Sequence, residues 1–527
     1  MYISSVSIEN FRAFKEKTVF HFNPGVTVLI GENDCGKSTV IDAIRYVLGT
    51  TDQSWQRVDL SDYYQENTDN EIHITVTFAN LTAKEKAAFL ECLTYTRDEE
   101  TLIINWSAKY MTNVKPHRTF VSINCGRNAD VAAPAAEARE LLRVTYLKPL
   151  RDAQAQMKSG RGSRLAQILS SIPELNLGER EYKEGIDITS LSLAGIFDLS
   201  NQLLAGHKVI KDVNQGISDI LNAELMLNND AVKTQITVSG DGNTDEKKIY
   251  SLLEKLDLNI QKDSVSNYGN VGLGTSNLMS MACEMLLNQD DNELSTFMLI
   301  EEPEAHIHAQ RQLKLIQSMQ KKGENQQVIL TTHSPLLASV VELNNLLLIQ
   351  NRKAFSMREG ETMLDSSDYK FLERYLDATK ANLFFAKGVI IVEGPGEALL
   401  LPTLAKLLNR NLTDYGISIV DVKSTGLRRY ARIFQRKEGD KINIPVSCIT
   451  DRDVMPECAP AICIDEKYED RDNWPKKNRK WKVESEIKDK EKYIQEIEKK
   501  ANGQNVKTFI PEQWTLEYEL AANGLGE

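Results

Sequence analysis

The sequence has no apolar run approaching the roughly 20 residues a membrane-crossing helix needs, so no membrane association is expected. Its opening, Met1-Tyr2-Ile3-Ser4-Ser5-Val6, alternates as a strand does. It lacks the charged-then-apolar layout of a signal peptide, and a cytoplasmic location is expected. Cysteine is scarce: seven residues, scattered, with no CxxC pair. That excludes a disulfide scaffold, and Cys458 with Cys463 alone do not make a zinc site. Positive charge is not in excess either, since the net charge is −12. This excludes a surface coated for nucleic acid and leaves room for a local basic groove. What remains, 41% hydrophobic and 26% charged residues, describes a globular chain. A length of 527 residues exceeds one ordinary core, and two or three domains are expected.

Along the chain, apolar alternation predicts strands at 3–8, 19–22 and 26–30, then a helix at 39–48 where Val40, Ile41, Ile44 and Val47 recur at helical spacing. Further strands are expected at 71–78, 102–106 and 144–147, with a helix over the Ala-rich stretch 130–142. From about Asp152 to Glu254 long amphipathic stretches replace strand signals, as in a helical insertion. Strand and helix alternation returns with 296–300 and 327–331, and begins afresh at 388–392, 417–422 and 444–450. The domain boundaries expected are 1–151 and 261–380 for the two halves of one nucleotide-binding domain, 152–260 for an insertion, and 381–527 for a second α/β domain.

Gly31-Glu32-Asn33-Asp34-Cys35-Gly36-Lys37-Ser38 matches GxxxxGKS between a strand and a helix, the context that gives the pattern meaning. Gly31 and Gly36 let the backbone curl so that amides, with Asn33 and Thr39 alongside, face phosphates. Lys37 would reach the β- and γ-phosphates of ATP, and Ser38 would ligate Mg²⁺. Phe297 to Glu304 is an apolar strand ending in paired acids, the layout of a Walker B site. Glu301 would hold the Mg²⁺ water shell and Glu302 would orient the attacking water. Thr331-Thr332-His333-Ser334 ends the next strand, where His333 can hydrogen-bond the γ-phosphate.

These residues resemble the ABC-type ATPases of chromosome maintenance and DNA repair. Asn10-Phe11-Arg12-Ala13-Phe14 is similar to the opening of that group, in which Arg12 approaches the phosphates. Gly272 to Asn277 reads either as a degenerate signature motif, with Ser276 donated to ATP on another subunit, or as an ordinary helix N-cap. The resemblance implies ATP held between two heads, hence a homodimer or tetramer.

A second group of acids follows. Glu393 and Glu397 flank a glycine turn after an apolar strand, and Asp451 and Asp453 end another strand. Four such carboxylates repel one another and suit Mg²⁺ or Mn²⁺. The arrangement looks like a Toprim domain, which implies Glu393 as general acid/base, Glu397, Asp451 and Asp453 as metal ligands, and Glu517 as ligand of a second metal. An ABC ATPase followed by a Toprim domain resembles the OLD (overcoming lysogenization defect) family, which includes the nuclease subunit of Gabija defence systems. That family carries a catalytic lysine beyond this last glutamate, and no Lys follows Lys507 here. A shortened sequence, an impaired nuclease and substitution by Lys423 all stay open.

Arg428, Arg429 and Arg432, and the run 476–482 with Trp474 and Trp481, read equally as DNA contacts or as solvated loops. The function expected is an ATP-binding, metal-dependent DNA endonuclease or nickase of bacterial antiphage defence, with a helicase or another defence protein as partner. The alternative is a sensor or scaffold ATPase whose Toprim domain is inert and acts through a partner protein.

Overall fold

The computed structural model describes residues 1–51, 56–95, 100–112, 115, 117–148, 160, 163–170, 172, 175, 177–220, 236, 245–256, 258, 273–287, 294–321, 326–423, 426–456 and 482–525. From the N-terminus, β1 (Tyr2–Glu9), β2 (Thr18–His21) and β3 (Val26–Ile30) lead into α1 (Lys37–Leu48). Then come β4 (Ile72–Ala79), α2 (Ala83–Ala88), β5 (Leu93–Tyr95), β6 (Glu100–Met111), β7 (Arg118–Cys125), β8 (Val131–Ala132), α3 (Ala136–Glu140) and β9 (Val144–Leu147). The Ala-rich stretch is therefore a short strand and one helical turn and a half, broken by Pro134, whose missing N–H interrupts a helix.

The protein divides into two compact units, Met1–Leu147 with Glu293–Glu527, and Lys148–Asn292. The second unit contains α4 (Arg164–Ser170), α5 (Leu193–Gly206), α6 (Lys208–Ile220), α7 (Asp245–Leu253) and α8 (Leu273–Leu287), with no named strand among its described residues. It takes in α8, which the sequence pattern places in the nucleotide-binding half beginning at 261. Ser192 caps α5 by accepting the Gly195 amide at 3.3 Å.

The first unit resumes with β10 (Thr296–Glu301), α9 (Ala309–Lys321), β11 (Gln326–Thr331), α10 (Pro335–Val340), β12 (Leu346–Gln350), β13 (Lys353–Ser356) and α11 (Ser366–Tyr375). Its last part is β14 (Gly388–Val392), α12 (Pro395–Leu407), β15 (Ile417–Asp421), α13 (Leu427–Arg432), β16 (Val446–Ile449), β17 (Val454–Met455), β18 (Lys482–Val483), α14 (Lys490–Glu498), β19 (Val506–Phe509) and α15 (Leu516–Leu520).

Three larger sheets result. An antiparallel sheet runs β2-β1-β4-β6-β7-β8 with β5 on β6, and its central strands β4 and β6 alternate buried and open, as one-faced sheets do. A mainly parallel sheet runs β13-β12-β3-β11-β10-β9. Its β3 is buried at every position, which is why Val26-Thr27-Val28-Leu29-Ile30 reads as a continuous apolar run. Val40, Ile41, Ile44 and Val47 of α1 share one core with both sheets, and Phe78 meets Phe297 edge-on at 5.5 Å. A four-stranded parallel sheet, β15-β14-β16-β19, forms the C-terminal part. No described helix is long and apolar enough to cross a membrane.

Candidate active sites

The first site lies at the carboxyl ends of β3, β10 and β11, hydrogen-bonded neighbours in the order β3-β11-β10. Between β3 and α1 the chain takes left-handed backbone at Asp34 and Gly36, with φ of 59° and 112°. Gly36 admits no side chain: a Cβ there would lie 2.5 Å from the Phe14 ring. At Gly31 a Cβ would collide with the Ile349 carbonyl. The Lys37 ammonium is buried and donates to the Gly31 and Glu32 carbonyls at 3.0 and 2.6 Å. Burial lowers its proton affinity. Asn33 and Ser38 are exposed, and Thr39 is buried.

Glu301 closes β10. Burial first, then the charge of Asp42, pushes its carboxyl up to about 7, while a hydrogen bond from the Tyr146 hydroxyl pulls it down. Arg45 lies 3.7 Å over the Tyr146 ring and also pairs with Asp42. Glu302 has left-handed backbone, φ 46°, and its amide donates to the Thr331 carbonyl at 3.1 Å. Its carboxylate sits 3.7 Å from His333 Nε2. Burial and then Lys37 lower the His333 pKa, which favours the neutral imidazole. Glu304 Oε1 accepts both the Thr332 hydroxyl at 2.8 Å and the His333 amide at 2.7 Å.

Arg12 is committed on both sides, to Asp62 at 2.8 Å and to Asp42 on α1. It thus braces α1 near the phosphate loop. Ser276 falls within α8, and its side chain lies outside the described residues. Sequence reasoning missed Asp42, Tyr146 and Glu304, whose signals are single polar residues with partners distant in the chain.

The second site is the end of the four-stranded sheet. Glu393 follows β14 and Asp451 follows β16, and the parallel register sets Ile391 beside Cys448. That register brings Glu393 to Thr450, whose hydroxyl donates to Glu393 Oε1. Glu397 is buried in the first turn of α12. Asp451 Oδ1 accepts the Leu516 amide at 3.0 Å, holding the start of α15 and so placing Glu517 at this edge. Burial, followed by repulsion from Asp453, Asp451 and Glu397, raises Glu393 to about 7. Burial, then Glu517, Glu397 and Asp453, raises Asp451 to about 6. All five carboxylates thus share one field. Their hard, oxygen-only donor set suits a divalent cation. Among the described residues, no three His, Cys, Asp or Glu groups converge closely enough to hold a metal as they stand.

Arg452, between the two aspartates, was also missed. It is buried, and its Nη1 donates to the Glu512 carbonyl while its own amide donates to Trp514 O at 3.0 Å. The lysine whose charge reaches Asp453 is Lys500, and Lys423 stands after β15 with its amide on Asp421. Arg428, Arg429 and Arg432 all point to the buried Asp368 of α11, at 3.3, 3.0 and 3.9 Å. Cys458, Cys463, Trp474 and residues 476–481 of the basic run lie outside the described residues.

A seam joins the phosphate loop to the start of the C-terminal sheet, the end opposite Glu393 and Asp451. A cavity of about 210 Å³ is lined by residues 32–35 of the phosphate loop, 348–352, and Phe384, Ala386 and Ile444 of the C-terminal part. The Asn443 amide donates to Gln350 Oε1 across it at 2.9 Å.

Comparison with known proteins separates the same two parts. The family model "AAA ATPase domain" matches residues 1–127 and 145–338, and the model "Overcoming lysogenization defect protein-like, TOPRIM domain" matches 384–453. The chain is 24% identical over 472 residues to Endonuclease GajA of Bacillus cereus, covering 82% of this chain and 72% of that one. It is 24% identical over 479 residues to OLD nuclease of Thermus scotoductus, covering 86% and 82%. Among solved structures, an Smc head bound to the C-terminal winged-helix domain of ScpA matches at 15% identity and a TM-score of 0.37, covering 67% of this chain and 97% of that one.

Proposed function

The chain belongs to the AAA ATPase domain family and continues into an OLD-like TOPRIM domain, and from that premise we propose that it is an ATP-hydrolysing DNA endonuclease or nickase of bacterial antiphage defence. The observation that carries the reading is the shared field of Glu393, Glu397, Asp451, Asp453 and Glu517 at one sheet edge, 24% identity to proteins named as nucleases standing beside it. It acts as a homodimer or tetramer, with a helicase or other defence protein as a candidate partner.

In the ATP site Lys37 and the loop amides hold the phosphates, Ser38 and Glu301 would hold Mg²⁺, which would supply charge to the phosphate oxygens, and Glu302 aligns water. His333, neutral, offers its ring to the γ-phosphate. In the Toprim site Glu393 titrates near neutrality, where a carboxyl is best matched to exchanging a proton with the attacking water. Thr450 fixes its orientation. Asp451, Asp453, Glu397 and Glu517 would hold Mg²⁺ or Mn²⁺, which supplies at such a site the charge that stabilises the attacking and leaving oxygens.

Supercoiled plasmid incubated with Mg²⁺ or Mn²⁺ tests the reading. Wild-type protein nicks or linearises it, and Glu393→Gln or Asp451→Asn removes the activity. Cleavage that survives both substitutions contradicts the assignment.

A further inference from the structure

A cavity of about 1220 Å³ opens in the N-terminal part between the C-terminal half of α1, the face of β6 and β7, and α3. Its lining carries Arg45, Arg57, Arg118, Arg139, Arg143 and His117, against only Asp59 and Glu140. In a chain of net charge −12 this is a strong local reversal of sign. Two of the arginines are already paired: Arg45 with Asp42, and Arg143 with Glu140 at 2.7 Å. Arg57, Arg118 and Arg139 are exposed and form no ion pair among the described residues. Three uncompensated guanidiniums around one hollow repel each other, and an anion relieves that repulsion.

The walls are aromatic as well as basic. Tyr46 and Trp106 meet edge-on at 5.6 Å, and the Tyr46 hydroxyl is anchored on Asp62 at 2.9 Å. Tyr110 and His117 form a tilted ring pair, 6.1 Å apart, on the same lining. Trp106 is itself buried in the core, so the half-buried Tyr46 and Tyr110 and the exposed His117 are the rings left to meet bases; guanidiniums that track a phosphate backbone beside such rings are the chemistry of single-strand recognition. The volume exceeds the roughly 300–1,000 Å³ that encloses one drug-sized ligand, so the hollow has room for more than one nucleotide.

We propose that this cavity binds a short single-stranded segment of nucleic acid, with Arg57, Arg118 and Arg139 on its phosphates. The proposal rests on the nucleic-acid reading above and adds a place of contact remote in sequence from the Toprim carboxylates. It gives the ATPase part its own hold on the strand that the other part cuts.

The test uses the full chain carrying Glu393→Gln, in EDTA, so that no probe is cut. Fluorescence anisotropy of a labelled oligo(dT) of about ten nucleotides measures binding across a salt series. Combining Arg57→Gln, Arg118→Gln and Arg139→Gln is expected to weaken binding about 10-fold or more. The log–log salt slope should fall by about 2, at roughly 0.7 for each phosphate that is no longer neutralised. Each single substitution weakens binding less and in the same direction, which keeps the test usable if the triple variant folds poorly. Lys353→Gln, a charge removed elsewhere, is expected to change nothing. Unchanged affinity in the arginine variants, or displacement of the oligonucleotide by inorganic triphosphate at equal phosphate concentration, overturns the proposal. Because nothing is cleaved, its failure is distinct from that of the Toprim assignment, which the plasmid assay reads.

Discussion

The His333 amide donates to Glu304 Oε1 at 2.7 Å, which ties the turn after the Walker B strand to the segment after the neighbouring strand. The same oxygen accepts the Thr332 hydroxyl, and Glu304 Oε2 is buried without a partner. Glu304→Ala leaves the buried Thr332 hydroxyl without its acceptor, at about 1–3 kcal/mol, and releases the exposed His333 amide. ATP turnover is expected to fall about 10-fold as His333 loses its aim, with nucleotide affinity changed much less. Steady-state ATPase kinetics beside equilibrium nucleotide binding check this.

Gly36 is held tightly within the phosphate loop. Its φ of 112° disfavours any side chain, and a Cβ would sit 2.5 Å from the Phe14 ring. Gly36→Ala is expected to destabilise the protein by about 1–3 kcal/mol and to abolish ATP binding. Adding Phe14→Leu relieves the clash without relieving the backbone. Thermal melting should therefore recover in part while ATP binding stays lost.

Tyr146 lowers the proton affinity of Glu301 in the ATP site. Its hydroxyl stabilises the Glu301 carboxylate, whose pKa of about 7 already sits high. Tyr146→Phe removes that donor, so the Glu301 pKa rises further and the charged form appears only at higher pH. The acidic limb of the pH–rate profile for ATP hydrolysis is expected to move to higher pH. The alkaline limb should stay in place.

The Toprim carboxylates make an opposite-sign contribution to the usual acid case. Glu393 and Asp451 have folded pKa values of about 7 and about 6, above the ordinary range of carboxyl groups. The folded state therefore binds more protons between about pH 4 and 7, and metal-free stability falls as pH rises through that window. Mg²⁺ or Mn²⁺ competes with those protons, so the rise in melting temperature on adding either ion should be larger at pH 8 than at pH 5. An equal rise at both values argues against metal binding by these groups.

How much of this is legible in the sequence depends on the range of each interaction. Gly31, Lys37 and Ser38 declare themselves because a phosphate loop is one turn between a strand and a helix. Glu393 and Asp451 are legible for the same reason, each ending an apolar strand. The antiparallel sheet is legible only in part: β7 escapes because its exposed Phe120 and Val121 blur the alternation of a one-faced strand. The three arginines of α13 look like a basic patch in one dimension, and their anchor, Asp368, lies about sixty residues away. Tyr146 and Arg452 are invisible for the same reason, since only the fold brings them to Glu301 and to the 512–516 segment. The reading of an inert Toprim domain gains nothing from relatives named as nucleases.

The central claim is that one chain carries two chemically separate sites, and a single substitution separates them. ATP turnover and plasmid cleavage by Asp451→Asn, measured on the same preparation, are expected to part: turnover stays within about 2-fold of wild type, while cleavage falls at least about 100-fold. Undiminished cleavage, or a matching collapse of ATP turnover, would contradict the account.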